Sequence, residues 1–285
     1  MIYVSSSCVK SDKIADSVSV LASHGFTNIE LSGGTNWYEG WLSDLLELKN
    51  KFNLNYLLHN YFPPPREPFV LNLASLDKEV ELKSINHAYE AIQASEILNS
   101  KKIGFHAGFL INIPLNQIGK KIEPYALFNR GESWRKFVSN YKKLHDFASK
   151  KSIELYIENN VLSYENFKGF GENPFFFTEI KELREFNEEL PDFKFIFDYA
   201  HCFVTSKTLQ LDVLHEFDTF VDSTDYIHLS DNNGERDLNW SIRENSIIHN
   251  HLCKKKLSNK IITLEVYEGI DNLKSSYDLL KKIID

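Results

Sequence analysis

The sequence predicts an α/β fold, a single (β/α)8 TIM barrel that takes up residues 1–285 as one domain. Short runs rich in β-branched and aromatic residues alternate eight times with longer amphipathic stretches. Most of the short runs are continuously apolar, which is typical of parallel strands buried on both faces. The alternative is a doubly wound open sheet, but no glycine-rich phosphate-binding fingerprint follows the first predicted strand.

The elements follow from these patterns in chain order. The predicted strands are Ile2–Ser6, Asn28–Leu31, Leu54–His59, Lys102–His106, Glu154–Asn159, Lys194–Asp198, Tyr226–Leu229 and Ile261–Glu265. The predicted helices are Ile14–Ser23, Trp41–Lys51, Leu76–Leu98, Ser133–Lys150, Phe175–Phe186, Leu211–Phe217, Ile242–Lys256 and Leu273–Ile284. Ser75 is the predicted N-cap of the third helix, and Asp271 or Asn272 that of the last.

Three connections are long: 60–73, 107–132 and 160–173. Each follows a strand, so all three are expected on the face of the barrel where the strands end. Long loops on that face commonly build a binding site or a lid.

Composition narrows the classes of function. The net charge of −8 does not favour a nucleic-acid partner, because binding to phosphates usually requires a basic face. The three cysteines are odd in number and far apart, which predicts neither a disulfide framework nor a CxxC metal site. We see no signal peptide and no apolar run near the roughly 20 residues of a membrane span, so the expected location is the cytoplasm, with no membrane partner.

Ionisable residues recur where the predicted strands end. Every strand from the second onward carries one at or near its C-terminal end, and two more follow closely. The set is Glu30, His59, His106, Glu158, Asp198, His201, His228, Asp231 and Glu265. Converging carboxylates repel one another and are costly to bury unpaired, and a divalent cation removes both problems. Imidazole and carboxylate ligands together suit zinc, manganese, cobalt or iron, so a metal site is predicted.

The order of these residues resembles the xylose-isomerase-like (β/α)8 barrel superfamily, which includes sugar isomerases and epimerases and the zinc-dependent apurinic endonucleases. The resemblance spans nearly the whole chain. The segments that carry it are 25–30 (GFTNIE), 71–75 (LNLAS), 104–108 (GFHAG), 157–159 (IEN), 197–201 (FDYAH), 227–231 (IHLSD) and 264–265 (LE).

The epimerase branch implies one metal, held by the residues that match its four ligands: Glu158, Asp198, His228 and Glu265. The same resemblance implies that the two glutamates are the catalytic acid and base. It also implies substrate contacts for His201 and for an arginine after the seventh strand, for which Arg236 is a loose match. We expect Glu30 to contact substrate as well. Trp37 and Tyr61 are also expected to do so, since sugar faces pack on aromatic rings.

The endonuclease branch implies further metals. His59 and His106 match ligands of a second metal bridged by Glu158, and they could instead contact substrate. A third metal would use His201 with an Asp-x-His step, which here reads Asp237-Leu238-Asn239. Asn is a poor zinc ligand, which puts the third site in doubt.

The resemblance therefore implies a metal-dependent isomerase or epimerase of a small sugar or sugar-like molecule, acting by proton transfer through a metal-stabilised enediolate. The metal could be Zn, Mn, Co or Mg. The alternatives are an apurinic endonuclease-like phosphodiesterase, a related sugar dehydratase or lyase, and a non-catalytic barrel with a structural metal. Substrate identity, the number of metals and the oligomeric state, including a homo-oligomer, stay open.

Overall fold

Eight parallel strands close into one barrel in the structure, a computed structural model that describes residues 1–284. Each strand pairs with the next in sequence, and the first pairs with the eighth. The strands are β1 (Ile2–Ser5), β2 (Asn28–Leu31), β3 (Asn55–His59), β4 (Lys102–His106), β5 (Glu154–Glu158), β6 (Lys194–Asp198), β7 (Tyr226–Leu229) and β8 (Ile261–Leu264). The predicted (β/α)8 barrel is confirmed, and each strand end lies within one residue of its predicted position.

The helices cover the outside of the barrel. They are α1 (Ile14–Ser23), α2 (Trp41–Phe52), α3 (Lys78–Ile97), α4 (Arg130–Ser149), α5 (Tyr164–Phe170), α6 (Leu183–Glu189), α7 (Tyr199–Leu209), α8 (Val213–Ser223), α9 (Ile247–Leu252) and α10 (Ile270–Ile284). In the described part of the chain, no helix combines the length and the apolar character that crossing a membrane requires.

The barrel interior is packed in layers, and this layering positions the site. A layer of large side chains fills the interior on several strands: Tyr3, Leu57, Tyr156, Ile196 and Tyr226. Because side chains alternate along a strand, the residue two positions further on faces the same way. The next interior layer on β5, β6 and β7 is therefore Glu158, Asp198 and His228, at the C-terminal face of the barrel.

Two of the predicted helix caps are wrong. Helix α3 begins at Lys78, and its N-cap is Asp77, whose Oδ1 accepts from the backbone N–H groups of Glu79 and Val80 at 2.8 and 3.2 Å. Ser75 lies upstream and accepts from the Asp77 N–H instead. Helix α10 begins at Ile270, so Asp271 and Asn272 both lie in its first turn.

The helices between β5 and β7 also differ from the prediction. The predicted helix over 175–186 is wrong in its bounds. Helix α5 lies wholly before that range, a 3-10 turn over Ile180–Glu182 lies within it, and α6 begins only at Leu183. The predicted helix over 211–217 is α8, and α7 was missed entirely. Eight of the 11 residues of α7 are buried and only Lys207 is exposed, so its sequence lacks the polar face that reveals a surface helix.

Candidate active site

Four strand ends bring together the residues that match the epimerase ligands. Glu158 and Asp198 are the last residues of β5 and β6, His228 pairs in register with Asp198, and Glu265 follows β8 directly. One ligand atom from each of the four lies within 4.8 Å of the others. All four residues are buried, Glu265 being the most exposed at 9%.

The donor atoms of this cluster fit a divalent cation. The Nδ1 atom of His228 lies 3.1 Å from Oε1 of Glu158 and 3.6 Å from Oε2 of Glu265. Within residues 1–284, neither His228 Nδ1 nor Glu158 Oε1 has a hydrogen-bond partner. A buried polar atom without a partner costs about 1–3 kcal/mol, and a cation held by imidazole and carboxylates would remove that cost.

Glu30 lies beneath the cluster and orients His228. Both carboxylate oxygens of Glu30 lie 3.1 Å from His228 Nε2. If Nε2–H donates to this carboxylate, Nδ1 is left with a free lone pair directed at Glu158. Glu30 also accepts from the hydroxyls of Thr263, at 3.1 Å, and Tyr226. Carboxylate–histidine pairs of this kind fix the tautomer and the ring orientation of metal ligands.

The expectation that Glu30 contacts substrate does not fit this position. Glu30 is fully buried and lies outside the set of residues that line the cavity. Glu30 pairs in register with Leu57, a member of the interior layer below the cluster, and its carboxylate contacts His228.

A second cluster shares Glu158. His59 at the end of β3 and His106 at the end of β4 approach the same oxygen, Glu158 Oε2, with Nε2 at 2.8 Å and Nδ1 at 3.1 Å respectively. One ligand atom from each of these three residues lies within 4.8 Å of the others. His59 and His106 therefore approach Oε2 of Glu158, whereas His228 approaches Oε1 of the same carboxylate.

His201 lies beside both clusters but pairs with different partners. Its Nδ1 lies 2.8 Å from the backbone oxygen of Asn159, and its Nε2 lies 3.4 Å from Oδ2 of Asp237. The amide of Asn239 donates to the same Asp237 oxygen at 3.2 Å. In the described residues, neither His201 nor Asp237 belongs to a group of three or more metal-type ligands.

Burial and neighbouring charges shift the pKa values of the three carboxyl groups in different directions. Burial opposes ionisation of Glu158, but the imidazoles of His106, His59 and His228 outweigh it and hold the pKa of Glu158 well below its usual value. Burial raises the pKa of Glu265, and it raises the pKa of Asp198 to about 7. A bound divalent cation would favour the ionised form of each carboxyl.

A cavity of about 1340 Å³ opens above the clusters. Glu158, Glu265 and His201 form part of its floor, and the loops after β1, β2 and β3 form its walls. Trp37 and Tyr61, which were predicted to contact substrate, are among the residues that line the cavity. Arg66 stacks on the Trp37 ring at 4.1 Å, and the Tyr61 hydroxyl accepts from a backbone N–H of its own loop.

Arg236 takes a different place from the one expected. Its guanidinium pairs with both carboxylate oxygens of Glu165, at 3.0 and 3.1 Å, and the residue lines an adjoining cavity instead of the main one. Sequence reasoning also missed Thr35 and Asn60, which line the main cavity. Only Asn60 left a signal, since it directly follows His59 at a strand end.

Comparison with known proteins identifies the family of the chain. The family described as xylose isomerase-like TIM barrel matches residues 18–283. The chain belongs to that family. This member of the xylose isomerase-like family is 23% identical over 241 residues to an uncharacterized protein of Methanocaldococcus jannaschii, covering 84% of this chain and 81% of that protein.

Solved structures share the same fold. A D-tagatose 3-epimerase-like protein superposes with a TM-score of 0.73 at 19% identity, covering 99% of this chain and 96% of that one. D-psicose 3-epimerase from Clostridium cellulolyticum H10, solved with D-tagatose, gives a TM-score of 0.66 at 10% identity, covering 100% and 99%. These structures therefore share the barrel fold at low sequence identity.

Proposed function

We propose that this protein is a divalent-metal-dependent isomerase or epimerase of a small sugar or sugar-like ketose. The observation that carries the proposal is the pair Glu158 and Glu265, two carboxylates whose oxygens meet in one cluster of metal-type ligands at the cavity floor. The similarity to structures of sugar 3-epimerases supports the same activity.

In this proposal Glu158, Asp198, His228 and Glu265 hold the metal. When bound, the metal supplies Lewis-acid polarisation of the substrate carbonyl and stabilises the negative charge that develops as the α-proton leaves. Its identity among Zn, Mn, Co and Mg is left to experiment.

The chain's own residues carry the proton. One of Glu158 and Glu265 removes the α-proton, and the other returns a proton to the same carbon or to its neighbour. Return to the opposite face of the same carbon gives an epimer. When the enediolate spans C1 and C2, return to the neighbouring carbon gives an aldose–ketose isomer. His201, which faces the same cavity, is proposed to contact a substrate oxygen through Nε2.

A second candidate function is phosphodiester hydrolysis, which the cluster of His59, His106 and Glu158 favours. A cation there together with one in the first cluster would share Glu158, and paired metals can hold both the attacking and the leaving oxygen. The alternative role of the two histidines is contact with substrate, since both line the cavity.

The test is proton exchange. The protein is loaded in turn with Mn²⁺, Co²⁺, Zn²⁺ and Mg²⁺ and incubated in D2O with D-tagatose, D-psicose or L-ribulose, while NMR follows deuterium at the α-carbon. Incorporation together with an epimer or isomer supports the proposal, and loss of water would indicate the dehydratase or lyase. Absence of exchange for every sugar and metal would refute it. Elemental analysis of the purified protein fixes the metal and its stoichiometry.

A further inference from the structure

A second cavity of about 540 Å³ adjoins the main one, between the loops that follow β4, β5 and β7. Its volume falls in the range of about 300–1,000 Å³ typical of small-molecule pockets. His106 and His201 line both cavities, and Nδ1 of His106 lies 3.1 Å from Oε2 of Glu158. A molecule bound over Glu158 can therefore extend past His106 into the second cavity.

The two cavities differ in the charge of their walls. Three cationic side chains and two carboxylates line the second cavity: Lys120, Lys121, Arg236, Glu165 and Asp237. The main cavity has the reverse balance, with two cationic side chains and four carboxyl groups: Lys10, Arg66, Asp12, Glu158, Asp237 and Glu265. Because the whole chain carries a net charge of −8, the second cavity is a local basic site on an acidic protein.

Both carboxylates of the second cavity are already engaged by the protein. Oδ2 of Asp237 accepts from the amide of Asn239 at 3.2 Å and lies 3.4 Å from Nε2 of His201. Both oxygens of Glu165 accept from Nη2 of Arg236. Within residues 1–284, Nε and Nη1 of the same guanidinium form no hydrogen bond, so Arg236 keeps donors for a ligand.

The two lysines are less engaged than the carboxylates. Nζ of Lys120 donates to the backbone oxygen of Asn116 at 3.2 Å, and an ammonium group has three N–H donors. Nζ of Lys121 lies 3.9 Å from Oε1 of Glu123, which is beyond hydrogen-bonding distance, and both of these side chains are exposed. An exposed pair at that distance contributes little, so both ammonium groups keep charge and donors for a ligand.

We infer that the second cavity binds the phosphate group of a phosphorylated ketose, whose carbonyl end lies over the metal-binding clusters. A phosphate monoester carries a charge of about −1.5 to −2 near pH 7 and three acceptor oxygens. Two ammonium groups and a guanidinium match it better than they match a carboxylate, which has one charge and two oxygens. The ketose keeps its free carbonyl, so proton transfer at the α-carbon is unaffected. This substrate class rests on the proposed function, whereas the preference for phosphate is measured without turnover.

The test compares ketoses that differ only in the phosphate. Binding of D-tagatose and D-tagatose 6-phosphate, and of D-psicose and D-psicose 6-phosphate, is measured by calorimetry on the metal-loaded protein after free metal is removed. The phosphorylated sugar should bind tighter by about tenfold or more in at least one pair, and added NaCl should reduce the difference by screening. D-Tagaturonate, which carries a carboxylate in place of the phosphate, should bind more weakly than D-tagatose 6-phosphate.

The double variant Lys120→Gln/Lys121→Gln should remove most of the preference for phosphate, because it removes two positive charges from the wall. Both side chains are exposed, so the fold should be preserved. The matched control is Lys142→Gln/Lys143→Gln, which removes two adjacent exposed lysines from α4 that line neither cavity. The control should keep the preference.

Four results would overturn the inference: equal binding of the phosphorylated and unphosphorylated sugars, no binding of either, tighter binding of D-tagaturonate, or a phosphate preference that survives in Lys120→Gln/Lys121→Gln. The last result would mean that the phosphate contacts the metal instead. A lysine-dependent phosphate preference without proton exchange on any ketose would contradict only the proposed function. Exchange without the preference would contradict only the phosphate site.

Discussion

Glu265 stands just past the end of β8, where it reaches both the cluster and the cavity. If it transfers protons, Glu265→Gln should preserve the fold, because the volume hardly changes, and should lower turnover by about 10²–10⁴-fold. The readout is deuterium exchange at the substrate α-carbon with excess metal, which separates lost basicity from weaker metal binding.

The control for this variant is Glu185→Gln, on the exposed side of α6. It should exchange at the wild-type rate. Wild-type exchange in metal-saturated Glu265→Gln would leave Glu265 as a ligand only and shift the acid–base role to Glu158 or His201.

Glu30 should act on metal affinity without touching substrate. A Glu30→Gln substitution keeps the shape but removes the negative charge that holds His228 Nε2–H. We expect metal affinity to fall by about 10–100-fold, as is typical when the partner of a ligating histidine is lost. Competition with a fluorescent chelator measures this directly. Affinity equal to that of the wild type would mean that His228 needs no such partner.

The place of a site residue could be predicted from the sequence where an ionisable residue lies at or near the end of a predicted strand. Glu158, Asp198 and His228 fall there, so their convergence follows from the barrel alone. The depth of Glu30 could not be predicted, because it depends on how β2 is staggered relative to β7. The pairing of Arg236 with Glu165 joins residues 71 positions apart, so no local pattern reveals it.

Strand β4 requires glycine at its centre. A Cβ on Gly104 would meet Cδ2 of His59 at 2.9 Å and would overlap the side chain of Ile196. Gly104→Ala should therefore destabilise the protein by about 1–3 kcal/mol, the usual cost of overpacking. Urea unfolding measures the change.

Gly169→Ala in α5 provides the comparison, since a Cβ there meets nothing within 4 Å. Alanine favours a helix over glycine by up to about 1 kcal/mol, so this variant should be neutral or more stable. A Gly104→Ala protein as stable as the wild type would show that His59 and Ile196 move aside freely.

At the scale of elements, strands were more predictable than helices. Strands buried on both faces leave continuous apolar runs with clear ends, which is why all eight were found. Helix α7 follows β6 without a loop and is buried nearly all round, so no amphipathic period marks it. Short α9 is six residues long, and the predicted helix over 242–256 extended it into the neighbouring loops.

The whole molecule carries a net charge of −8, which opposes binding to DNA. Incubated with an abasic duplex and zinc, the protein should give no efficient incision, and a reaction with chelator sets the background. The Asn at position 239 adds to this expectation, because its amide is engaged with Asp237. Robust metal-dependent nicking would place the phosphodiesterase ahead of the epimerase.

Metal affinity, and with it the stability of the whole fold, should depend on pH. In the metal-free protein, burial raises the pKa of Asp198 to about 7, and the pKa of His228 lies well above its usual value because the carboxylates of Glu30, Glu265 and Glu158 outweigh burial. Both groups must lose a proton to become ligands, so metal uptake should release protons. Affinity should then weaken as pH falls from 8 to 6, by about tenfold per pH unit for each proton released.

Protonation of the same two groups also determines how the stability of the metal-free protein changes with pH. Asp198 and His228 hold protons more tightly in the folded metal-free protein than in the unfolded chain, so their contribution to its stability falls as pH rises. Bound metal adds RT ln(1 + [M]/Kd), which grows as pH rises and affinity increases. The rise in Tm on adding metal should therefore be larger at pH 8 than at pH 6, with proton release counted by calorimetry in buffers of different ionisation enthalpy. A Tm rise independent of pH, with no protons released, would mean that the cation binds somewhere other than this buried cluster.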